Sequence, residues 1–131
     1  MISLLKKFHL FVGLFVGPFF FIASLTGFLY AFSFFAEGWM YKDILFVKNP
    51  GPPKSLEAQI KKANEVVGAE NNLFAIRPAP STKDSTRVLY LNNHLESSEY
   101  RTVFIDPTNL EVKADLVTYG SGGSMPFRKT I

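Results

Sequence analysis

An α+β architecture follows from three observations: an uncharged apolar run at the start, one amphipathic helical repeat in the middle, and several β-rich runs after it. The expected molecule has one N-terminal transmembrane helix. A small domain follows, in which one helix packs on three or four antiparallel strands. Residues 1–36 form the cytoplasmic start and membrane helix, 37–54 an outer juxtamembrane segment with a Pro-rich linker, 55–119 the domain, and 120–131 a flexible tail.

From Phe8 to Ala36 no side chain is formally charged, and Lys6 and Lys7 stand directly before that run. It exceeds the roughly 20 residues that an α-helix needs to cross a hydrocarbon core. A cleaved signal peptide has an apolar region of about 7–15 residues and a small-x-small cleavage site. Here the run is longer, and its end, Phe34-Phe35-Ala36-Glu37, places a bulky Phe where a small residue is needed. A retained anchor is therefore expected. Lys6 and Lys7 outweigh the mixed flank of Glu37, Lys42, Asp43 and Lys48, so the N-terminus is expected in the cytoplasm and 37–131 outside. Trp39 and Tyr41 sit where an interfacial aromatic belt forms.

Lys48-Asn49-Pro50-Gly51-Pro52-Pro53 cannot continue a helix and reads as a stiff linker. Ser55 is an N-cap with Glu57 in the first turn, where the helix dipole favours negative charge. Leu56, Ile60, Ala63 and Val67 recur at helical spacing, and Gly68 is a stop. Strands are expected at Phe74–Arg77, Arg87–Leu91 and Tyr100–Ile105, with Leu110–Ala114 as a short fourth. Asp106-Pro107-Thr108-Asn109 reads as a β-turn, with Asn109 tolerating a left-handed conformation. Gly120-Ser121-Gly122-Gly123-Ser124 offers no packing side chains.

Several function classes are excluded. The net charge of +3 over 131 residues contains no block of like charges, so nucleic acid is not an expected partner. There is no cysteine, hence no disulfide and no thiolate metal site. Asp106, Glu96 and Glu99 read as turn or surface carboxylates and His94 as a loop residue; no catalytic residue and no metal-ligand spacing emerges.

The membrane helix carries a pattern. At about 100° per residue, His9, Gly13, Gly17, Ser24, Gly27 and Ala31 fall within an arc of roughly 80°, with Pro18 opposite. Small residues in a stripe allow another backbone or a flat cofactor to come close. One reading is helix packing, with another membrane protein or a second copy of the chain as partner. His9 reads either as an interfacial side chain reaching water or as an axial ligand for haem b, with Gly13 and Gly17 as the close-approach face. His94 belongs to the domain, so a second histidine ligand would come from elsewhere.

Lys7-Phe8-His9-Leu10-Phe11-Val12-Gly13-Leu14 and Ser24-Leu25-Thr26-Gly27-Phe28-Leu29 resemble the first helix of the PepSY-associated transmembrane proteins. Ser55–Val67 and the strands leading into Val103-Phe104-Ile105-Asp106-Pro107 resemble the PepSY domain of that family. The family usually continues its Asp-Pro motif with a Thr-Gly pair before an acidic residue; Asn109-Leu110 stands before Glu111 in this chain, so an altered turn is expected. The resemblance implies a bacterial inner-membrane protein of iron–siderophore uptake, in some relatives a haem-containing ferric reductase, and makes His9 a haem ligand by that resemblance. Relatives continue with a Leu-His motif and further membrane helices. By that comparison the chain is expected to be an N-terminal portion, truncated before a second membrane helix, or a family member reduced to one helix and its outer domain, and not by itself an enzyme. The alternatives are an anchored module that binds a peptide, a peptidase or a partner membrane protein, and a truncated fragment without function of its own.

Overall fold

The computed structural model describes residues 2–129, and the chain divides after Ala36 into two units. From Ile2 onward the first belongs to α1, Ile2–Met40, whose last turn enters the second unit. Its most apolar stretch has a mean hydropathy of 2.0 and no buried residue. At about 1.5 Å per residue it is long enough to cross a bilayer and emerge on both sides. Phenylalanines point outward on every side, from Phe8 to Phe35, as a helix solvated by lipid requires. Two hydroxyl groups bond back into the helix: Thr26 Oγ1 donates to the carbonyls of Ile22 and Ala23, both at 3.0 Å, and Ser33 Oγ to that of Tyr30 at 2.6 Å. Pro18 lies within α1, which continues past it. Its missing N–H deprives the Leu14 carbonyl of a partner, a loss tolerated more readily in membrane helices than in soluble ones.

The second unit contains a one-turn helix α2 (Lys42–Leu45), α3 (Leu56–Val67), the strands β1 (Asn72–Arg77), β2 (Thr86–Leu91), β3 (Glu99–Ile105) and β4 (Val112–Tyr119), and a 3-10 turn at Pro126–Lys129. The strands form one antiparallel meander in sequence order, so β1 and β4 are its edges. This is the α+β arrangement expected, with all four strands present. Strand β4 reaches Tyr119, well beyond the expected Ala114. Its second half is held by pairing with β3, including a 2.7 Å bond between the buried hydroxyls of Thr102 and Thr118.

Helix α3 begins and ends as its sequence specifies. Ser55 Oγ accepts from the Ala58 N–H at 3.2 Å, and Gly68 stops the helix at φ 75°, in the left-handed region. The inward face differs from the simple apolar repeat. Leu56 is 45% exposed, whereas Gln59 is buried and donates through Nε2 to the Lys54 carbonyl at 2.8 Å. One face of the sheet closes over α3 with Ala63, Val67, Val88, Tyr90, Val103 and Ile105; Ile76, Leu110 and Val112 pack at its margin. Leu89, Thr102, Phe104 and Thr118 are buried on the other face, where α2 and the 3-10 turn lie against β4.

Three connections are more ordered than their composition suggests. In the Pro-rich linker, Lys54 N–H donates to the Pro107 carbonyl at 2.7 Å, and Gly51 N–H to Thr108 Oγ1 at 3.2 Å. A Cβ on Gly51 would lie 2.8 Å from Thr108 Cγ2, so any larger residue there would force Thr108 to shift. In the β3–β4 loop, Leu110 takes the positive φ (64°), not Asn109. Leu110 N–H closes the loop onto the Asp106 carbonyl at 2.9 Å while its side chain stays against the core. Asp106 Oδ1 and Asn109 Oδ1 accept from the amides of Thr108 and Glu111, so both act by side-chain turns. The glycine-rich stretch, expected to be flexible, is bonded as a turn: Tyr119 and Ser124 exchange both backbone hydrogen bonds, and Arg87 Nη1 donates to the carbonyls of Gly122 and Gly123.

Candidate functional site

His9, Gly13, Gly17, Ser24, Gly27 and Ala31 all lie on the unbroken α1. His9 is exposed, and a Cβ added at Gly13, Gly17 or Gly27 would meet nothing within 4 Å. The residues thus present an open, shallow strip headed by an imidazole. The donor set suits one axial position of a haem and the glycines suit a flat ring, but the strip supplies one ligand rather than a pair. Among the described residues no group of three or more His, Asp or Glu side chains converges as a metal site. His94 lies in the second unit, in the β2–β3 turn, where its N–H donates to Asn92 Oδ1 at 2.9 Å.

The second unit holds polar groups that a linear reading passes over. Arg101 on β3 grips Asp115 on β4 with Nε (3.0 Å to Oδ1) and Nη2 (2.7 Å to Oδ2), and its Nη1 donates to the Val67 carbonyl at 3.3 Å. Hydrogen bonding to Asp115 raises the guanidinium pKa further above its ordinary value. This arginine fastens the C-terminus of α3, where exposed carbonyls attract positive charge, to the edge strand. Asn71 Nδ2 donates to the same Val67 carbonyl at 2.7 Å and is itself held by Asn92. Tyr90 O–H donates to Asn64 Oδ1 at 2.7 Å, and burial pushes its pKa up to about 12. The alternation of Arg101 with Thr102 and Val103 was the only sequence signal that this cation faces the helix.

Glu37 and Met125, distant in sequence, meet inside the second unit. Glu37 is buried and its Oε1 accepts from the Met125 N–H at 2.7 Å. The segment after it is laced to the start of β2: Val47 N–H donates to the Lys83 carbonyl, Ser85 N–H to that of Leu45 (both 2.8 Å), and Ser85 Oγ to that of Ile44 (2.6 Å). Beside this lacing lies a cleft of about 500 Å³ whose lining includes Phe46, Arg77, Asp84, Ser85 and Arg87.

These features define a class: a membrane-associated protein with one long apolar helix, followed by a small α+β domain in which one helix covers a four-stranded meander. The model of the PepSY-associated TM region matches residues 6–131, and the chain belongs to that family. No match was found among curated proteins or among solved structures.

Proposed function

We propose that the chain supplies the first membrane helix and the outer domain of a haem-bearing ferric reductase of iron–siderophore uptake. It would sit in a bacterial inner membrane with its N-terminus in the cytoplasm and residues 37–131 outside. The observation that supports this reading is the strip on α1, where His9 precedes Gly13 and Gly17 at successive four-residue steps. Haem, when bound, supplies one-electron transfer, one electron for each ferric ion reduced. Of this chain's residues, His9 would hold the group through an imidazole nitrogen. Gly13 and Gly17 would let the ring lie flat against the helix, and the surrounding phenylalanines would exclude water. A further ligand would come from another helix or from a second copy of the chain.

The test is a reduced-minus-oxidised spectrum of membranes in which the chain is produced together with further helices of the family. A Soret difference band that is lost or shifted by His9→Ala supports the reading. No band, or a band indifferent to that substitution, contradicts it.

An anchored binding module is the second reading, supported by β1. That strand is a sheet edge, and Leu73 and Phe74 on it are each 45% exposed. An extended peptide could add there as a fifth strand, with the two side chains as anchors. Affinity capture from a detergent extract should then recover a partner that a Phe74→Ala chain does not retain. Equal recovery by both chains would count against this reading.

A further inference from the structure

The uncharged run of α1, from Phe8 to Ala36, is about 42 Å long at 1.5 Å per residue. A hydrocarbon core is about 30 Å thick, and the bilayer with its headgroups about 40–45 Å. With its first turn among the headgroups of one leaflet, the run therefore ends among those of the other. The second unit begins directly after it, at Glu37, and its first residues remain apolar. Trp39 is 76% exposed, Met40 50% and Phe46 45%. Helix α2 coils four of the residues between Met40 and Phe46, which keeps Phe46 within about 16 Å of the end of α1. The fold brings a second segment to the same place. Val47 and Lys83, and Ser85 and Leu45, are joined by backbone hydrogen bonds, and Phe46 bridges Asp84 between them. The β1–β2 connection is thereby pinned beside Phe46, with Pro78 and Pro80 lining one cleft with it. Pro80, Ser81, Thr82 and Lys83 are exposed.

We infer that this part of the second unit lies in the interfacial layer of the bilayer, with Trp39, Met40, Phe46 and Pro80 set among phospholipid headgroups and the adjoining ends of the acyl chains. The occupant is lipid because the surface continues directly from the span that α1 makes. Interfacial segments sink about 5–10 Å into the headgroup boundary, and aromatic rings such as that of Trp39 favour this layer. Lys42 is followed by Asp43 and Lys83 by Asp84, so apolar burial rather than charge carries the contact. Two segments far apart in sequence then hold the domain to the membrane, in addition to the covalent tether. The inference rests on α1 as a membrane span and stands whether or not haem binds at His9.

The experiment uses the full chain in phosphatidylcholine nanodiscs, where both membrane faces meet solvent. The chain has no cysteine, so a single introduced thiol carries the fluorophore NBD. Thr82→Cys places it in the β1–β2 connection. His94→Cys places it in the β2–β3 turn, at the other end of β2, a strand about 17 Å long. Quenching by a lipid with a headgroup nitroxide is compared with quenching by aqueous iodide. The lipid is expected to quench at least about twofold more strongly at 82 than at 94, with iodide showing the reverse order. Phe46→Ser should lower the lipid quenching at 82 by about half, and high salt should leave it unchanged. Unchanged amide signals from β3 will show that this variant is folded, and the comparison of 82 with 94 in the parent chain stands without it. Equal access of iodide to both positions would overturn the proposal. Shielding of 82 from both quenchers would also overturn it, by assigning the surface to a protein partner or a second copy. So would lipid quenching that Phe46→Ser leaves unchanged or that salt abolishes.

Discussion

Tyr90 shows how one side chain ties the domain to pH. Its hydroxyl is buried against α3 and donates to Asn64, and burial raises its pKa from 10.0 to about 12. The folded state therefore keeps a proton that the unfolded chain has lost between those values. Stability from this group is fully present below pH 10 and falls as pH rises towards 12. Chemical denaturation of the full chain should show that decline, and Tyr90→Phe should flatten it while costing about 1 kcal/mol at neutral pH. Gly51 tests a different physical term. Gly51→Ala should cost about 1–2 kcal/mol because its Cβ meets Thr108 Cγ2, and Thr108→Ser, which removes that methyl, should recover most of the loss. A second substitution that recovers nothing would disprove the contact. Individual residues were unevenly legible. Ser55 and Gly68 declared their roles because caps are local chemistry. Gln59 and Leu110 did not: their conformations are set by Lys54 and Asp106 and by packing against the sheet, which no local pattern encodes.

At the scale of elements, alternating β-rich runs located all four strands, since half-buried strands repeat every second residue. What local pattern missed was the part of β4 after Ala114, and the turn made by Tyr119–Ser124. Both depend on distant partners, Thr102 for the strand and Arg87 for the glycine carbonyls. The same dependence makes Glu37 informative. Its carboxylate joins the last turn of α1 to Met125, so Glu37→Ala should expose that amide and accelerate its hydrogen exchange by about tenfold. Unchanged exchange at Met125 would show that the turn holds without it. On α1, the strip from His9 to Ala31 was legible because helical geometry alone places those residues together. What the strip would receive was not legible, because a ligand or partner helix leaves no periodicity of its own.

The whole molecule joins two solvents. In α1 lipid offers the backbone no partners, so its groups pair along the helix apart from the Leu14 carbonyl that Pro18 leaves open, whereas the domain derives its stability from closing α3 over a sheet in water. Absence of cysteine makes the arrangement easy to probe, since a single introduced thiol reports alone. In intact cells, Ser121→Cys should react with an impermeant maleimide added outside, and Ser3→Cys should not; the reverse pattern would invert the proposed orientation. The central claim is that α1 remains in the bilayer and tethers the domain to it. The most direct measurement is the intact mass of the chain recovered from membranes after an alkaline carbonate wash. A chain that still carries α1 and sediments with the lipid is expected. A shortened chain in the supernatant, without the residues up to Ala36, would contradict it.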